Sequence, residues 1–353
     1  MIYLDYQATT PLAPEALKAM LPWLEQGHAN PHSPHRAGRQ ARAAVEVARD
    51  QVAALLPSSG RVVFTSGATE ALNWAIKGTG GGIVTTATEH AVVLDTAAAT
   101  GRPLTVMPVD GEGQVVPGPI AEGTGLVAAM LVNNEIGTVQ PVAALAEQAH
   151  GAGALMLCDA VQGYGRVAIP DTVDLVAISA HKIHGPKGVG ALWLRDGITL
   201  PPLLHGGDQE GGRSGTLSPA LCAGFGAAAR LMAARAEEDE AHVGRLWSLA
   251  VERLGSGWTL NGSPDHRYHG NLNVRRDGLD VARLMSDCRD IAFSAGSACA
   301  SGSGRPSHVL TALGLSDRDA KSSIRIGFGR YTTEAELMQA IDRINTAARA
   351  QGL

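Results

Sequence analysis

Two side chains that could carry covalent and acid–base chemistry each follow a short apolar run of the sequence. Asp159 ends the run that begins at Leu155, and Lys182 stands four residues after the next such run, at residues 175–178. In parallel α/β sheets ligands collect beyond the carboxyl ends of the strands, so both side chains are predicted to face one crevice. A lysine in such a place is otherwise an ordinary surface cation, so the pair needs further support before it indicates a site.

That support comes from a turn at residues 66–69, Ser-Gly-Ala-Thr, between an apolar run at residues 62–64 and a helical pattern. A tight glycine turn that opens a helix directs backbone N–H groups and a hydroxyl toward a bound anion. The alternative is an ordinary strand-to-helix loop capped by Ser66 or Thr69. A carboxylate, a lysine and an anion cup are together what pyridoxal 5'-phosphate (PLP) requires for its pyridinium nitrogen, its Schiff base and its phosphate.

Residues near the lysine could complete such a site. Ser179 and His181 can donate hydrogen bonds to a phosphate, and the glycines at 185, 188 and 190 would let the backbone pack closely behind Lys182. Formation of a simple turn is the alternative role of these residues.

The elements that must position these groups follow from the hydrophobic patterning. Apolar runs alternate with helical patterns between about residues 61 and 195, which predicts an α/β fold with a mostly parallel sheet flanked by helices. An amphipathic pattern predicts a helix over residues 36–56, and Ser218 before Pro219 predicts the start of a long helical segment that runs to about Leu254. The predicted strands lie at residues 62–64, 83–84, 127–132, 155–157, 175–178 and 191–193.

After residues 255–257, Gly-Ser-Gly, the pattern changes to that of a smaller α+β domain. A closing helix is predicted from the capping box that Thr333 and Glu336 can form. We therefore predict a large PLP-binding domain over residues 12–254 and a small domain formed by residues 1–11 and 255–353. Within the small domain, strands are predicted at residues 272–274, 291–293 and 324–326, and a helix at residues 280–288.

The composition narrows the possible partners. The chain has 353 residues and a formal net charge of −5, so a broad cationic surface for nucleic acid or anionic lipid is not expected. No basic segment followed by an apolar one comes after Met1, and no apolar run approaches the roughly 20 residues of a membrane span. The four cysteines lack CxxC spacing, which argues against a disulfide framework and a zinc site. We therefore expect no metal and a reducing, cytoplasmic compartment.

Eight segments distributed over nearly the whole chain form a specific pattern. They are YLDYQATTP at residues 3–11, TSGATE at 65–70, EH at 89–90, NNEIGT at 133–138, DAVQ at 159–162, HKIHGPKG at 181–188, RSGT at 213–216, and residues 297–310 around Cys299. In type and order they resemble the cysteine desulfurases, which are PLP enzymes of class V and fold type I that supply sulfur for iron–sulfur cluster assembly.

The resemblance implies a role for each matching residue. Lys182 would hold PLP and shuttle protons, Asp159 would pair with the pyridine nitrogen, and His90 would stack on the ring and serve in acid–base steps. Arg325 would bind the substrate carboxylate through two parallel hydrogen bonds, with Arg330 as the alternative. The other implied contacts are those of Asn134 and Gln162 with the ring oxygen, of Asn134 with the substrate, of Ala68, Thr69, Ser179 and His181 with the phosphate, and of Thr216 with the phosphate of the partner subunit.

The cysteines differ in their surroundings. Cys299 stands among small residues at 294–305, in a loop as long as that of the long-loop desulfurases, from which a thiol could reach a bound substrate and then swing outward. Cys158 lies in a strand-like pattern and Cys288 in a helix-like one, so both are predicted to be small buried hydrophobic residues. Cys222 has no catalytic context.

The resemblance implies a homodimer that converts L-cysteine to L-alanine through a persulfide on Cys299. A protein acceptor would take the sulfur for iron–sulfur clusters, or for thio-cofactor or tRNA biosynthesis. Three alternatives stay open: a selenocysteine lyase, a class V aminotransferase-like enzyme in which Cys299 is incidental, and a degenerate PLP-binding regulatory subunit. The presence of Lys182, Asp159, His90 and Cys299 argues against the last of these.

Overall fold

The computed structural model describes residues 1–296 and 306–352. The strands in these residues are β1 (Ile2–Tyr3), β2 (Gly60–Thr65), β3 (Gly82–Thr86), β4 (Leu104–Met107), β5 (Thr124–Met130), β6 (Leu155–Asp159), β7 (Leu175–Ser179), β8 (Gly190–Arg195), β9 (Thr259–Leu260), β10 (Asn271–Arg275), β11 (Ile291–Ala292), β12 (Ser294–Ala295) and β13 (Ser323–Gly327). The α-helices are α1 (Pro14–Glu25), α2 (Arg36–Ala53), α3 (Ala68–Gly78), α4 (Ala91–Ala99), α5 (Val142–Gly151), α6 (Pro219–Ala234), α7 (Ala236–Leu254), α8 (Val281–Asp287), α9 (His308–Ala312), α10 (Asp317–Lys321) and α11 (Glu334–Arg349).

The large sheet has seven strands in the order β2-β8-β7-β6-β5-β3-β4. Strand β8 runs antiparallel to both of its neighbours, and the other adjacent pairs are parallel. The predicted α/β fold with a mostly parallel sheet flanked by helices is confirmed. Strand β4 was not predicted, because this edge strand is largely exposed and lacks a buried apolar run.

Both faces of the large sheet are buried around its central strands, which explains why β6, β7 and β8 are almost continuously apolar. On β7, Val176 and Ile178 belong to one hydrophobic core, whereas Leu175 and Ala177 belong to the core on the opposite face. Successive side chains of a strand point to opposite faces, so the sheet carries a core on each side, and on β6 and β7 the polar residues Asp159 and Ser179 stand at the strand ends.

The predicted helical segment from Pro219 to Leu254 is wrong in one respect, because it is two helices separated at Arg235. Ser218 caps α6 as predicted, accepting a hydrogen bond from the backbone N–H of Leu221. Arg235 leaves the helical conformation with φ −119° and ψ 14°. Helix α6 buries residues such as Phe225 in the core of the large sheet, whereas α7 buries Leu246 and others in a separate core, so the chain must change direction between them.

That separate core lies beneath a four-stranded antiparallel sheet of order β12-β13-β10-β9. Helix α11, which begins with the predicted capping box of Thr333 and Glu336, packs on it together with α7. The predicted strand at residues 291–293 is only partly correct: β11 pairs in parallel with β1, and the chain then joins the four-stranded sheet as β12. The division into domains at residues 11/12 and 254/255 stays a prediction. Helix α7, which that division assigns to the large domain, packs against the smaller sheet.

No helix in residues 1–296 and 306–352 combines the length and the apolar character that crossing a bilayer requires.

Candidate active site

A cavity of about 610 Å³ opens beside the carboxyl ends of strands β6 and β7. Ten of the residues predicted for the site line it: Ala68, Thr69, His90, Asn134, Asp159, Gln162, Ser179, His181, Lys182 and Arg325. They come from separate parts of the chain, and the ends of the parallel strands bring most of them together, as predicted.

Asp159 is the last residue of β6, and Lys182 ends the short 3₁₀ turn that follows β7. Burial raises the pKa of the Asp159 carboxyl to about 6, against the opposing effects of the Val161 N–H and of Lys182. Burial lowers the pKa of the Lys182 amine to about 8, and the positive charges of Arg325 and Arg166 lower it further. The Lys182 amine therefore loses its proton readily, and it lies near the Asp159 carboxyl, which a cationic partner would keep ionised.

The Lys182 amine is held by backbone oxygens of the N-terminal segment. Its Nζ donates to the carbonyl of Gln7 at 2.6 Å and to that of Ala8 at 2.8 Å. The Gln162 amide donates to the Gln7 carbonyl as well, at 2.9 Å. We did not predict these contacts, because a carbonyl oxygen gives no signal in the residue types.

The turn at residues 66–69 leads into α3 without a side-chain cap, since Gly67 is the N-cap residue. The alternative interpretation, a loop capped by Ser66 or Thr69, is therefore wrong. Uncapped N–H groups at a helix start, together with the helix dipole, form an anion site. A Cβ on Gly190 would lie 2.5 Å from the Ile178 carbonyl oxygen and 2.8 Å from the Gly67 Cα, so a glycine at 190 lets β8 pack against this turn.

Two histidines of the cavity are held in fixed orientations. His90 is the N-cap of α4, and its Nδ1 accepts from the Val92 N–H at 3.1 Å, so the neutral ring carries its proton on Nε2. Burial lowers the pKa of His90, and the charge of Lys182 lowers it further. His181 Nδ1 lies 3.1 Å from the Thr9 hydroxyl oxygen, and burial, then Lys182 and Lys187, lower its pKa to about 4. Both rings are therefore neutral near pH 7 and can hydrogen-bond to a ligand without adding charge.

The two candidate arginines are found in different places. Arg325 on β13 lines the cavity with a side chain that is 1% exposed, and it forms an ion pair with Asp5 at 2.7 Å. Arg330 lines a second cavity together with Asp239, with which it forms an ion pair. Its side chain is 2% exposed, so this ion pair is not the surface pair that its sequence context would suggest. Geometry favours Arg325 over Arg330 at the candidate site.

One predicted residue does not line this cavity, and one lies outside the part of the chain that the structure describes. Thr216 is exposed and does not line the cavity of its own subunit. Cys299 lies outside the described residues, so its predicted loop is not tested. The other three cysteines, Cys158, Cys222 and Cys288, are free and buried, in agreement with the structural role predicted for Cys158 and Cys288.

Glu89 and Asp5 are two acidic residues that sequence reasoning did not assign to the site. Glu89 precedes His90 and is completely buried, with one carboxyl oxygen accepting from the Thr86 hydroxyl at 2.8 Å and from the Met130 N–H at 2.9 Å. Burial raises its pKa to about 8. The pairing of Glu89 with His90 in the sequence was the available signal, but it pointed to the histidine.

The chemistry of these groups fits PLP. Asp159 offers a buried carboxylate for a pyridinium nitrogen, the uncapped start of α3 offers N–H groups for a phosphate, and Lys182 offers an amine that is readily deprotonated. The buried Oε1 of Gln162 has no hydrogen-bond partner within the described residues, so it is available to a ligand. No group of histidine, cysteine and carboxylate side chains suited to a metal ion occurs in the described ranges.

Comparisons with known proteins agree with this geometry. The profile of the family described as "Aminotransferase class-V" matches residues 2–339. "Cysteine desulfurase, mitochondrial" of Saccharomyces cerevisiae is 44% identical over 368 aligned positions, which cover 98% of this chain and 74% of the yeast protein. A solved "NifS-like protein" superposes with a TM-score of 0.91 and 32% identity over the full length of both chains. A structure titled "SspA in complex with cysteine" superposes with a TM-score of 0.84 and 33% identity, covering 94% of this chain and all of the other.

Proposed function

The chain belongs to the aminotransferase class-V family and, within it, to the cysteine desulfurases, and we propose that it binds PLP on Lys182 and converts L-cysteine to L-alanine. The observation that carries the proposal is the position of Asp159 and Lys182 at the ends of neighbouring strands, beside the uncapped start of α3. A structural relative was solved with cysteine bound, which supports the substrate.

Each group around the cavity has a proposed part in holding PLP. The Asp159 carboxylate would keep the pyridine nitrogen protonated, and the pKa of about 6 for this buried carboxyl would fall once a cation faced it. The phosphate would accept from the start of α3, Ser179 and His181. The Asn134 and Gln162 side chains would contact the ring oxygen. When bound, PLP supplies a conjugated acceptor for the electron pair that is left at the substrate α-carbon.

Lys182 would carry the proton transfers. With a pKa of about 8, roughly a tenth of its amine is neutral at pH 7, against far less for an ordinary lysine, and this neutral form can accept a proton at Nζ. The carbonyls of Gln7 and Ala8 then hold the protonated form in place. His90, held by its hydrogen bond with the Val92 N–H, presents Nε2 for acid–base steps and for contact with the ring.

The sulfur of the substrate would be transferred to the Cys299 thiol. The balanced reaction is L-cysteine plus the Cys299 thiol giving L-alanine plus a Cys299 persulfide: the carbon–sulfur bond of the substrate breaks and a sulfur–sulfur bond forms. The described residues on either side of residues 297–305 are hydrogen-bonded to residues close in sequence to Arg325 and Asn134, which line the cavity. Gly296 N–H donates to the Ser323 carbonyl at 2.7 Å, and the Ser307 hydroxyl donates to the Glu135 carboxylate at 2.5 Å.

The test is incubation of the purified protein with L-cysteine and a reductant, with alanine and sulfide measured together. Equal amounts of both products are expected from wild type and from Cys288→Ala, whereas Cys299→Ala should bind cysteine but release no sulfide. Sulfide at the wild-type rate from Cys299→Ala would move the nucleophile elsewhere. A parallel arm with selenocysteine identifies a selenocysteine lyase if only the selenium substrate turns over.

We also propose that the enzyme is a homodimer in which Thr216 contacts the PLP phosphate of the partner subunit. The supporting observation is that Thr216 is exposed and lies outside its own cavity. Mixing inactive Lys182→Ala with inactive Thr216→Ala should restore part of the activity, because half-sites from different chains would combine in mixed dimers. Absence of recovery after verified subunit exchange would place Thr216 elsewhere.

A protein sulfur acceptor and a reducing, cytoplasmic compartment complete the proposal. The free state of Cys158, Cys222 and Cys288 is consistent with a reducing compartment.

A further inference from the structure

The guanidinium of Arg325 is fixed by groups from three separate parts of the chain. Its Nη1 donates to the Asn134 carbonyl at 3.0 Å, and its Nη2 donates to the Asp5 carboxylate at 2.7 Å and to the Ser294 hydroxyl oxygen at 3.4 Å. Since the Arg325 side chain is 1% exposed, water contributes little to its solvation. Asp5 is the only acidic side chain that forms an ion pair with Arg325 within the described residues.

Asp5 is itself held in place. The oxygen that accepts from Arg325, Oδ1, also accepts from the Ser294 hydroxyl at 2.9 Å, and the Asp5 carbonyl accepts from the Tyr3 hydroxyl at 3.1 Å. The backbone before it is bound on both sides: Leu4 N–H donates to the Ala292 carbonyl at 2.7 Å, and Gly327 N–H donates to the Leu4 carbonyl at 2.8 Å. The carboxylate therefore stands on fixed backbone and can impose an orientation on Arg325.

We propose that Asp5 is a positioning residue that orients Arg325 for the carboxylate of the amino-acid substrate, an inference that rests on the function proposed above. A guanidinium binds a carboxylate best through two parallel N–H groups, so its plane must be set before the substrate arrives. Asp5 and the Asn134 carbonyl set that plane while occupying only part of the five N–H donors of the group. The Nε of Arg325 has no acceptor among the described residues.

Asp5 acts on Arg325 both through the position of its oxygen and through its charge, and the two contributions must be separated. Asp5→Asn keeps an acceptor oxygen at the same place but removes the charge. Asp5→Glu keeps the charge but moves the carboxylate outward by one methylene, so the plane of Arg325 is no longer set. If position matters, the glutamate variant is the more damaged of the two; if charge alone matters, the asparagine variant is.

The experiment measures the dissociation constant of L-cysteine for the PLP-loaded protein by spectral titration, together with KM and kcat. We expect Asp5→Glu to weaken cysteine binding and raise KM about tenfold or more, and Asp5→Asn to do so about two- to fourfold, with kcat changed less than KM in both. Cysteamine, which lacks the carboxylate, should bind both variants within about twofold of wild type. Thermal unfolding and PLP affinity are measured in parallel, so that a folding defect is recognised.

The opposite order of the two variants, or equal losses for cysteine and cysteamine, would overturn the inference. Tighter cysteine binding in either variant would overturn it too, because Asp5 would then compete with the substrate for Arg325. If Asp5→Glu does not fold, Asp5→Asn combined with Arg325→Lys decides the matter. If Asp5 acts through Arg325, the double variant should weaken cysteine binding by less than the product of the factors measured for the two single variants. Failure of the proposed function would be seen separately, as wild type that binds no cysteine and releases no alanine.

Discussion

The candidate cavity has two walls that are built in different ways. One, the sheet wall, consists of Asp159, Lys182 and the turn at residues 66–69, all of which follow strands of the large sheet. The other, the terminal wall, consists of Gln7, Ala8 and Arg325, with Asp5 bound to Arg325 behind it. This wall depends on the N-terminal segment, which contacts both Lys182 at the end of the large sheet and Arg325 on the small sheet. Side chains of the sheet wall take their places from regular secondary structure, whereas those of the terminal wall depend on contacts between residues up to 320 positions apart.

Under the proposed function, the sheet wall would hold the cofactor, and the pair of Asp5 and Arg325 would recognise the substrate. Strand ends are rigid because both faces of the sheet are buried, which suits groups that must stay fixed around PLP. The terminal wall is assembled from hydrogen bonds of partly buried groups, each of which contributes about 0.5–1.5 kcal/mol, or more when charged. Substitutions in the sheet wall should therefore affect cofactor binding and chemistry, and those of Arg325 and of its partner Asp5 should affect substrate binding.

The largest effect is expected at Lys182. Lys182→Ala should lower kcat by about a thousandfold or more, because the amine that moves the proton is lost. Borohydride treatment of the PLP-loaded wild type should fix the cofactor on Lys182 alone, as read by peptide mass spectrometry. Lys77→Ala, at an exposed position in the last turn of α3, is the matched control. Fixation on another lysine would show that Lys182 does not hold the cofactor.

A smaller effect on the same wall is expected at Gly190. The added methyl group of Gly190→Ala would meet the Ile178 carbonyl and the Gly67 Cα, so the phosphate turn must shift. We expect a loss of about 1–3 kcal/mol in the free energy of unfolding and weaker PLP binding. Urea unfolding and PLP titration measure the two effects. Gly244→Ala, at a helical position where an added Cβ meets nothing within 4 Å, should show neither loss.

Glu89, which is buried behind the sheet wall, tests how strongly burial of a carboxyl changes the free energy of unfolding with pH. Its pKa, raised by burial to about 8, means that the folded protein keeps a proton that the unfolded chain loses near its ordinary value of 4.5. Glu89 therefore makes the free energy of unfolding fall as pH rises from about 4.5 to about 8. Glu89→Gln should reduce this fall, with the largest gain over wild type at pH 8–9 and the smallest near pH 4.5.

Urea unfolding of both proteins from pH 4.5 to pH 9 measures the difference, and Glu15→Gln, at an exposed position on α1, serves as the control. Equal slopes for wild type and Glu89→Gln would show that Glu89 is ionised in the folded protein. The carboxyl of Asp159, with its pKa raised to about 6, adds a fall between about pH 4 and 6 in both proteins and cancels in the comparison.

The smallest effect is expected at Ser294, which contacts Asp5 and Arg325 behind the terminal wall. Ser294→Ala removes the hydroxyl that donates to Asp5 Oδ1 at 2.9 Å but leaves the ion pair of Asp5 with Arg325. Because Ser294 acts on Asp5 and Arg325 from behind, the rise in KM for cysteine should not exceed that of Asp5→Asn and is expected to be about twofold, with kcat little changed. Steady-state kinetics measure both. A fall in kcat with KM unchanged would show that Ser294 acts on the chemistry and not through Asp5.

Much of the sheet wall could be predicted, because its signals are local. The apolar runs before Asp159 and Lys182 had to be strands buried on both faces, and the glycine turn after residues 62–64 had to open a helix. Ten of the predicted site residues consequently line one cavity. The break at Arg235 was missed because residues 220–254 are rich in helix formers and contain no proline, and none of their three glycines lies at the break. Only the presence of two cores, one for α6 and one for α7, requires the chain to turn there.

The sequence by itself determined the α/β fold, the strand-end positions of Asp159 and Lys182 and the anion turn, since each depends on neighbours within a few residues. Only the tertiary structure decided that Asp5 orients toward Arg325, that the Gln7 and Ala8 carbonyls hold Lys182, and that Arg330 pairs with Asp239 outside the cavity. These contacts join residues far apart in the chain, and two of them are made by backbone oxygens that every residue type carries. Which distant groups meet is set by how the N-terminal segment and the small sheet pack together, and no local pattern encodes that packing.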